Sequence, residues 1–150
     1  MRLRAARRED FGVVAQILAD LGGPRPAVTA QSEDDCRAVF EAQIFDPGTH
    51  HIVAEDANGR IVGFTSLHFR TRLNWPTEEA WIPDLYVTPD VRRQGIGRAM
   101  LEEAEAHARD RGCHALTLES GYQRAEAHHM YRRFGMRDDG KSFLKSYVKR

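Results

Sequence analysis

A short β-type run, Leu85-Tyr86-Val87, passes through Thr88-Pro89-Asp90 into Arg92-Arg93-Gln94-Gly95-Ile96-Gly97, and a long helical pattern starts at Arg98. No other segment restricts the chain as much. Glycines between a strand and a helix let backbone N–H groups approach a ligand with no Cβ in the way. The helix N-terminus adds unsatisfied donors and the positive end of the dipole. Arg92, Arg93 and Arg98 add charge beside them. The combination suits a phosphate or pyrophosphate.

The residues after the glycines exclude two common phosphate loops. A P-loop needs Lys-Ser/Thr after its second glycine, and here Gly97 is succeeded by Arg98-Ala99. A dinucleotide fingerprint needs a third small residue, and Met100 stands there. That motif also opens a βαβ unit, whereas this one lies past mid-chain.

The rest of the chain reads as alternating elements. Leu3–Ala5 predicts a short strand, and Phe11, Val14, Ile17, Leu18 and Leu21 mark a helix opened by Arg8-Glu9-Asp10 and stopped by Gly22-Gly23-Pro24. Arg25 to Gln31 reads as a loop. Ser32-Glu33-Asp34-Asp35 suits the start of a second helix, Cys36 to Phe45, with Val39, Phe40 and Ile44 inward. His51–Glu55 and Arg60–Phe69 pair through an Asp56–Gly59 hairpin turn. Ala80 to Val87 is a strand interrupted by Pro83, which cannot donate to a ladder and so marks a bulge or the true strand start. Gly97–Arg111 is a helix with Met100, Leu101, Ala104 and Ala108 on one face. Cys113–Glu119 is a strand, Ser120-Gly121 breaks it, and Ala125–Phe134 is a last helix. Met136–Asp139 and Phe143–Val148 read as two closing strands.

This order predicts an α/β fold: a mixed, mostly antiparallel twisted sheet with flanking helices. A right-handed crossover links a parallel strand pair around Leu85 to Leu118. The 150 residues suit one domain, 1–150, with a full core. Formal charge of +0 gives no global field for nucleic acid. No apolar run approaches a membrane span, and Met1-Arg2-Leu3-Arg4 does not open a signal peptide. Cys36 and Cys113 lack metal-ligand spacing and read as reduced thiols of a cytoplasmic protein. Adjacent His128 and His129 point about 100° apart on a helix and do not make a metal site.

Arg92-x-x-Gly95-x-Gly97 after a strand resembles the coenzyme A pyrophosphate loop of the GNAT acetyltransferase superfamily. Ala127-x-x-Met130-Tyr131-x-x-Phe134-Gly135-Met136 is similar to the family's late motif, and the element order matches over nearly the whole chain. The resemblance implies a GNAT-like acyl-CoA N-acyltransferase fold. It implies acetyl-CoA as co-substrate and direct attack of an amine on the thioester in a ternary complex. The backbone of Leu85, Tyr86 and Val87 would pair with the pantetheine arm as an added strand, with the Val87 N–H as oxyanion donor. Arg92, Arg93, Gln94, Gly95, Ile96, Gly97 and Arg98 would cradle the pyrophosphate. Tyr131 would be the acid for the leaving thiolate.

Asp84, one residue before that strand, is the candidate to deprotonate or position the amine, with Glu119 as competitor and His68 as a further lining candidate. Many family members carry Asn seven residues before the tyrosine; Arg124 stands there instead. Trp75, Trp81, Glu78, Glu79 and Glu119 would suit a cationic amine with an apolar body. A non-catalytic acetyl-CoA-binding module and an acetyltransferase acting on a protein or aminoacyl-tRNA are the alternatives. The partner is thus an amine substrate, without membrane or nucleic acid, and a homodimer is compatible with the reading.

Overall fold

The computed structural model describes residues 1–22, 30–120 and 124–147. Its strands are β1 (Arg2–Ala5), β2 (Thr49–Glu55), β3 (Ile61–Arg70), β4 (Glu79–Ile82), β5 (Leu85–Val87) and β6 (Ala115–Leu118). Its helices are α1 (Phe11–Gly22), α2 (Ala30–Phe45), α3 (Ile96–Asp110) and α4 (Ala125–Arg133). The predicted stop at Gly23-Pro24, the loop from Arg25 to Thr29, Gly121 and Val148 lie outside the described residues.

The strands form one sheet in the order β1-β2-β3-β4-β6, with β5 paired to β3. All pairs are antiparallel except β4 with β6. The fold class expected from the sequence is the one observed.

Two faces of the sheet are covered by different helices. Phe11, Val14, Ile17 and Phe40 from α1 and α2 pack with Val53, Phe64 and Tyr86 on one face. Leu101, Ala104 and Ala108 of α3 pack with Leu67, Ala80 and Ile82 on the other, and α4 adds Met130 and Tyr131 there. The four α3 residues expected on one face, Met100, Leu101, Ala104 and Ala108, are all buried. Truncating a fully buried residue such as Leu101 to Ala should cost about 2–5 kcal/mol.

Three expectations need correction. Helix α2 begins at Ala30, ahead of the Ser32–Asp35 cap, and Val39 is 57% exposed rather than inward. Phe40 alone makes the deep contact, with Ile44 partly buried beside it. The predicted strand Ala80–Val87 is two strands, and the half that pairs in parallel with β6 is β4, not Leu85–Val87. The predicted closing strands Met136–Asp139 and Phe143–Val148 are absent among the described residues, where 136–147 has no regular secondary structure.

The division between β4 and β5 has a local cause. Thr65 pairs with Leu85 and His68 with Trp81, so Ile82, Pro83 and Asp84 stand opposite only Ser66 and Leu67. The extra residue is a β-bulge, placed where Pro83 has no N–H to give the ladder. The Asp84 carbonyl still accepts from the Ser66 N–H at 3.2 Å and from Thr65 Oγ1 at 2.8 Å. The bulge bends the chain away from β6, so β4 stays paired with β6 while β5 parts from it.

Candidate active site

Beyond the bulge, β5 has a sheet neighbour on one side only among the described residues. Asp84 O and Thr88 N both bond to β3, to Ser66 N at 3.2 Å and Val62 O at 2.9 Å. Backbone polar groups alternate along an antiparallel strand. Tyr86 therefore turns its N–H and C=O to β3, while those of Leu85 and Val87 point to the open edge. The gap between β5 and β6 is thus lined by the N–H and C=O of Leu85 and the N–H of Val87, which have no strand partner among the described residues and which an extended ligand can complete.

The loop after β5 is shaped by backbone conformation. Gly95 is the N-cap of α3 in the left-handed region, φ 82° and ψ 7°. Arg93 also has positive φ, 64°, uncommon for a residue with a Cβ. The two left-handed residues turn the chain so that α3 starts at Ile96 with its free N–H groups at the end of the gap.

The two glycines have different jobs. A Cβ on Gly95 would meet nothing within 4 Å, so its requirement is conformational. A Cβ on Gly97 would lie 3.2 Å from Met130 Sδ and 3.8 Å from Val87 Cγ2. Gly97 is needed where α3, α4 and β5 approach one another.

The arginines lie around this turn. Arg92 Nε donates to the Val87 carbonyl at 3.0 Å, and its guanidinium is 5.4 Å from the Tyr86 ring centre. Arg93 pairs with Glu126 of α4. Arg98 bonds Glu102 at 3.1 Å and lies 5.6 Å from the Phe134 ring centre. Gln94 is exposed beside them. The loop and α4, far apart in sequence, form one surface at this end of the gap.

Tyr131 and Asp84 approach the gap from opposite faces. Tyr131 packs on the α3 side. Burial pushes its phenol above the usual tyrosine range, and the charge of Arg124 pulls it partly back. Asp84 lies on the α1–α2 side, paired through its carbonyl with Ser66. There it acts on the His68 ring: burial pushes that imidazole down, Asp84 and Asp46 draw it up, and Arg70 opposes them. Trp81 packs edge-on to His68 at 5.6 Å and donates from Nε1 to Glu119 Oε2 at 2.9 Å. One face therefore gathers Asp84, His68, Trp81 and Glu119, and the other presents a neutral phenol.

The proximity of His68 to Asp84 and the Trp81–Glu119 pair are not readable from spacing, because both depend on register across three strands. Pro83 is the sequence signal that marks their place. Other expected lining residues lie elsewhere. Trp75 stacks on His114 at 4.4 Å, and Glu78 pairs with Arg111 at 2.8 Å, past the C-terminal end of α3. Glu79 is buried and ion-paired with Arg70 and Arg72. No group of three or more metal-binding side chains occurs among the described residues. Cys36 and Cys113 are free thiols.

The split sheet thus has a free strand edge at the gap, closed at one end by a left-handed turn into a helix N-terminus. The Acetyltransferase (GNAT) family model matches residues 15–136. An aminoalkylphosphonate N-acetyltransferase of Salmonella typhimurium is 33% identical over 150 residues, covering 96% of this chain and 90% of that protein. A thialysine N-epsilon-acetyltransferase of Bos taurus is 27% identical over 148 residues, covering 91% and 84%. Among solved structures, a putative acetyltransferase from Agrobacterium tumefaciens superposes with a TM-score of 0.83 at 25% identity, over 97% of this chain and 99% of that one. A transcriptional regulator from Bacillus halodurans gives 0.88 at 26% identity, with the same coverage. The chain belongs to the GNAT family, and it is an acyltransferase.

Proposed function

We propose that this acyltransferase moves the acetyl group of acetyl-CoA to a primary amine of a small molecule by direct attack in a ternary complex. The observation that carries the reading is the gap itself, with a carboxylate on one face and a protonated phenol on the other. The pantetheine arm runs along the open edge of β5, accepting from the Leu85 N–H and donating to the Leu85 C=O, while Tyr86 remains bonded to β3. The pyrophosphate lies at the turn from Arg92 to Arg98, against the N–H groups that open α3. Acetyl-CoA supplies an activated thioester whose sulfur is a competent leaving group. The Val87 N–H faces the gap and can stabilise charge on a carbonyl oxygen there.

The amine enters on the α1–α2 face. Asp84 takes or relays its proton, with the neutral His68 ring beside it. Trp81 holds Glu119 in a fixed orientation where a cationic substrate would first meet the site. Tyr131, on the other face, protonates the departing sulfur, and Arg124 keeps that phenol more acidic than burial alone would allow. The relatives named above act on aminoalkylphosphonates and on thialysine, both carrying primary amines. A small amine is accordingly the acceptor class for this chain.

The test is an amine panel with acetyl-CoA, following free thiol and acetylated product together. Aminoalkylphosphonates, thialysine, an aminoglycoside and an N-terminal peptide cover the range. Equal release of thiol and acetylated amine with a small amine is the expected result. Binding of acetyl-CoA without product from any amine would replace the reading with a binding module. Product from the peptide alone would move the acceptor to protein.

A further inference from the structure

The sheet face that carries the acidic residues of the site changes sign toward its far end. Asp84, His68, Trp81 and Glu119 stand nearest the gap. Side chains alternate along a strand, so the next residue of β3 on this face after His68 is Arg70, which pairs across the ladder with Glu79. Arg70 Nε bonds Glu79 Oε1 at 2.6 Å, and Arg72 Nε approaches Oε2 at 3.6 Å. Thr117 Oγ1 adds a bond to Oε1 at 3.3 Å. The Glu79 side chain is only 7% exposed, whereas Arg70 is 37% and Arg72 60% exposed, so the guanidinium groups and not the carboxylate meet a ligand.

One buried carboxylate thus anchors two guanidinium groups, and one positive charge is in excess there. Each guanidinium has more N–H donors than the shared carboxylate can take. Arg70 is also held by Trp81, whose ring centre lies 4.7 Å from its guanidinium. Trp81 in turn packs on His68 and donates to Glu119. A run of contacts therefore joins the acidic end of the face to the basic end. The ladder sets their separation. The Asp84 carbonyl bonds at Ser66, and the Arg70 guanidinium lies over Trp81, the partner of His68. Two strand residues at about 3.4 Å each put on the order of 7 Å between the two ends.

We propose that the acceptor is a zwitterion, an ω-amino acid whose amine is taken at Asp84 and whose carboxylate or phosphonate is held by Arg70 and Arg72. The assignment rests on the acetyl-transfer reading above and adds a second anchor for the acceptor. Guanidinium groups bind carboxylate and phosphonate oxygens through parallel N–H donors. The acidic end by the gap takes the cationic amine, and the basic end takes the anion. Trp81 lies between the two anchors and gives the linker an apolar surface. At about 1.2 Å per extended bond, a linker of about five methylenes spans the distance.

The test compares 6-aminohexanoate, 5-aminopentylphosphonate and hexylamine as acceptors for acetyl-CoA, by kcat/KM on the full chain. The better of the two zwitterions should exceed hexylamine roughly 10-fold or more, through charge-assisted hydrogen bonds, with the gain in KM. Which of the two is better tells a carboxylate site from a phosphonate site. The preference over hexylamine should fall toward one in Arg70→Gln and in Arg72→Gln. Arg109→Gln, an arginine of α3 that is 78% exposed, should keep it. If Arg70→Gln fails to fold, Arg72→Gln decides, because it leaves Glu79 its bond to Arg70. Equal use of hexylamine and the zwitterions would overturn the inference while acetyl transfer to a small amine stood. A preference that survives both substitutions would do the same. Acetylation of none of the amines would remove the acetyl-transfer reading, and this inference with it.

Discussion

Tyr131 has an environment that keeps its proton on. Burial raises the phenol's pKa, so it remains a donor throughout the neutral range, while Arg124 limits the rise. Tyr131→Phe removes one hydroxyl and little volume. Turnover should fall on the order of 10- to 100-fold, the modest end for general acids because a thiol leaves readily. Acetyl-CoA affinity should be nearly kept, which a split of kcat from binding would reveal. Asp84 and Glu119 can be separated in the same way. Asp84→Asn should lower kcat about 100-fold and alter the acidic limb of the rate profile. Glu119→Gln, which still accepts from Trp81, should mainly raise the amine KM. Reversed effects would transfer the base role to Glu119.

At the scale of elements, the bulge and the β5–α3 turn build the site between them. The turn depends on Gly95 at φ 82°. Gly95→Ala forces a Cβ into the left-handed region at a cost of about 1–2 kcal/mol. Gly59 has φ 79° in the β2–β3 hairpin, so Gly59→Ala should cost the same. Both variants should melt earlier, but only Gly95→Ala should lose roughly 10-fold or more in acetyl-CoA binding by calorimetry. Equal binding by the two would show that the turn geometry is irrelevant to the ligand.

These elements also mark how far the sequence can be read. The loop, α3 and α4 were legible because helical period and glycine placement are local signals. The parting of β5 from β6 was only half legible. Pro83 announced a bulge, but which half of the strand keeps the parallel partner depends on register across β3, β4 and β6. The outward Val39 and the absence of regular secondary structure over 136–147 were illegible for a related reason. An apolar pattern states that a face can be buried, not what lies opposite to bury it.

For the whole molecule, acid stability has an identifiable source. His51 is 7% exposed, stacked on Phe40 at 5.4 Å, and bonded to Gln43 at 2.9 Å. Burial, then the charges of His68 and His50, push its imidazole down from 6.5 to about 4. The folded state thus holds it neutral, whereas the unfolded chain takes a proton near pH 6.5. Its contribution is complete above that pH and is lost as pH falls toward 4, to a limit of roughly 3 kcal/mol. Denaturant titrations across this window should show the loss in the native chain. A His51→Phe variant should have a flatter acid limb, and an unchanged slope would remove His51 as the cause.

The proposed mechanism seats the acyl donor on the open edge of β5. Amide exchange by NMR, with and without saturating acetyl-CoA, tests this residue by residue. Leu85 and Val87 should gain protection on binding, because their N–H groups face the gap. Tyr86, already paired with Phe64 across β3, should change least. Acetyl-CoA that binds while Leu85 and Val87 exchange as fast as before would contradict that seating.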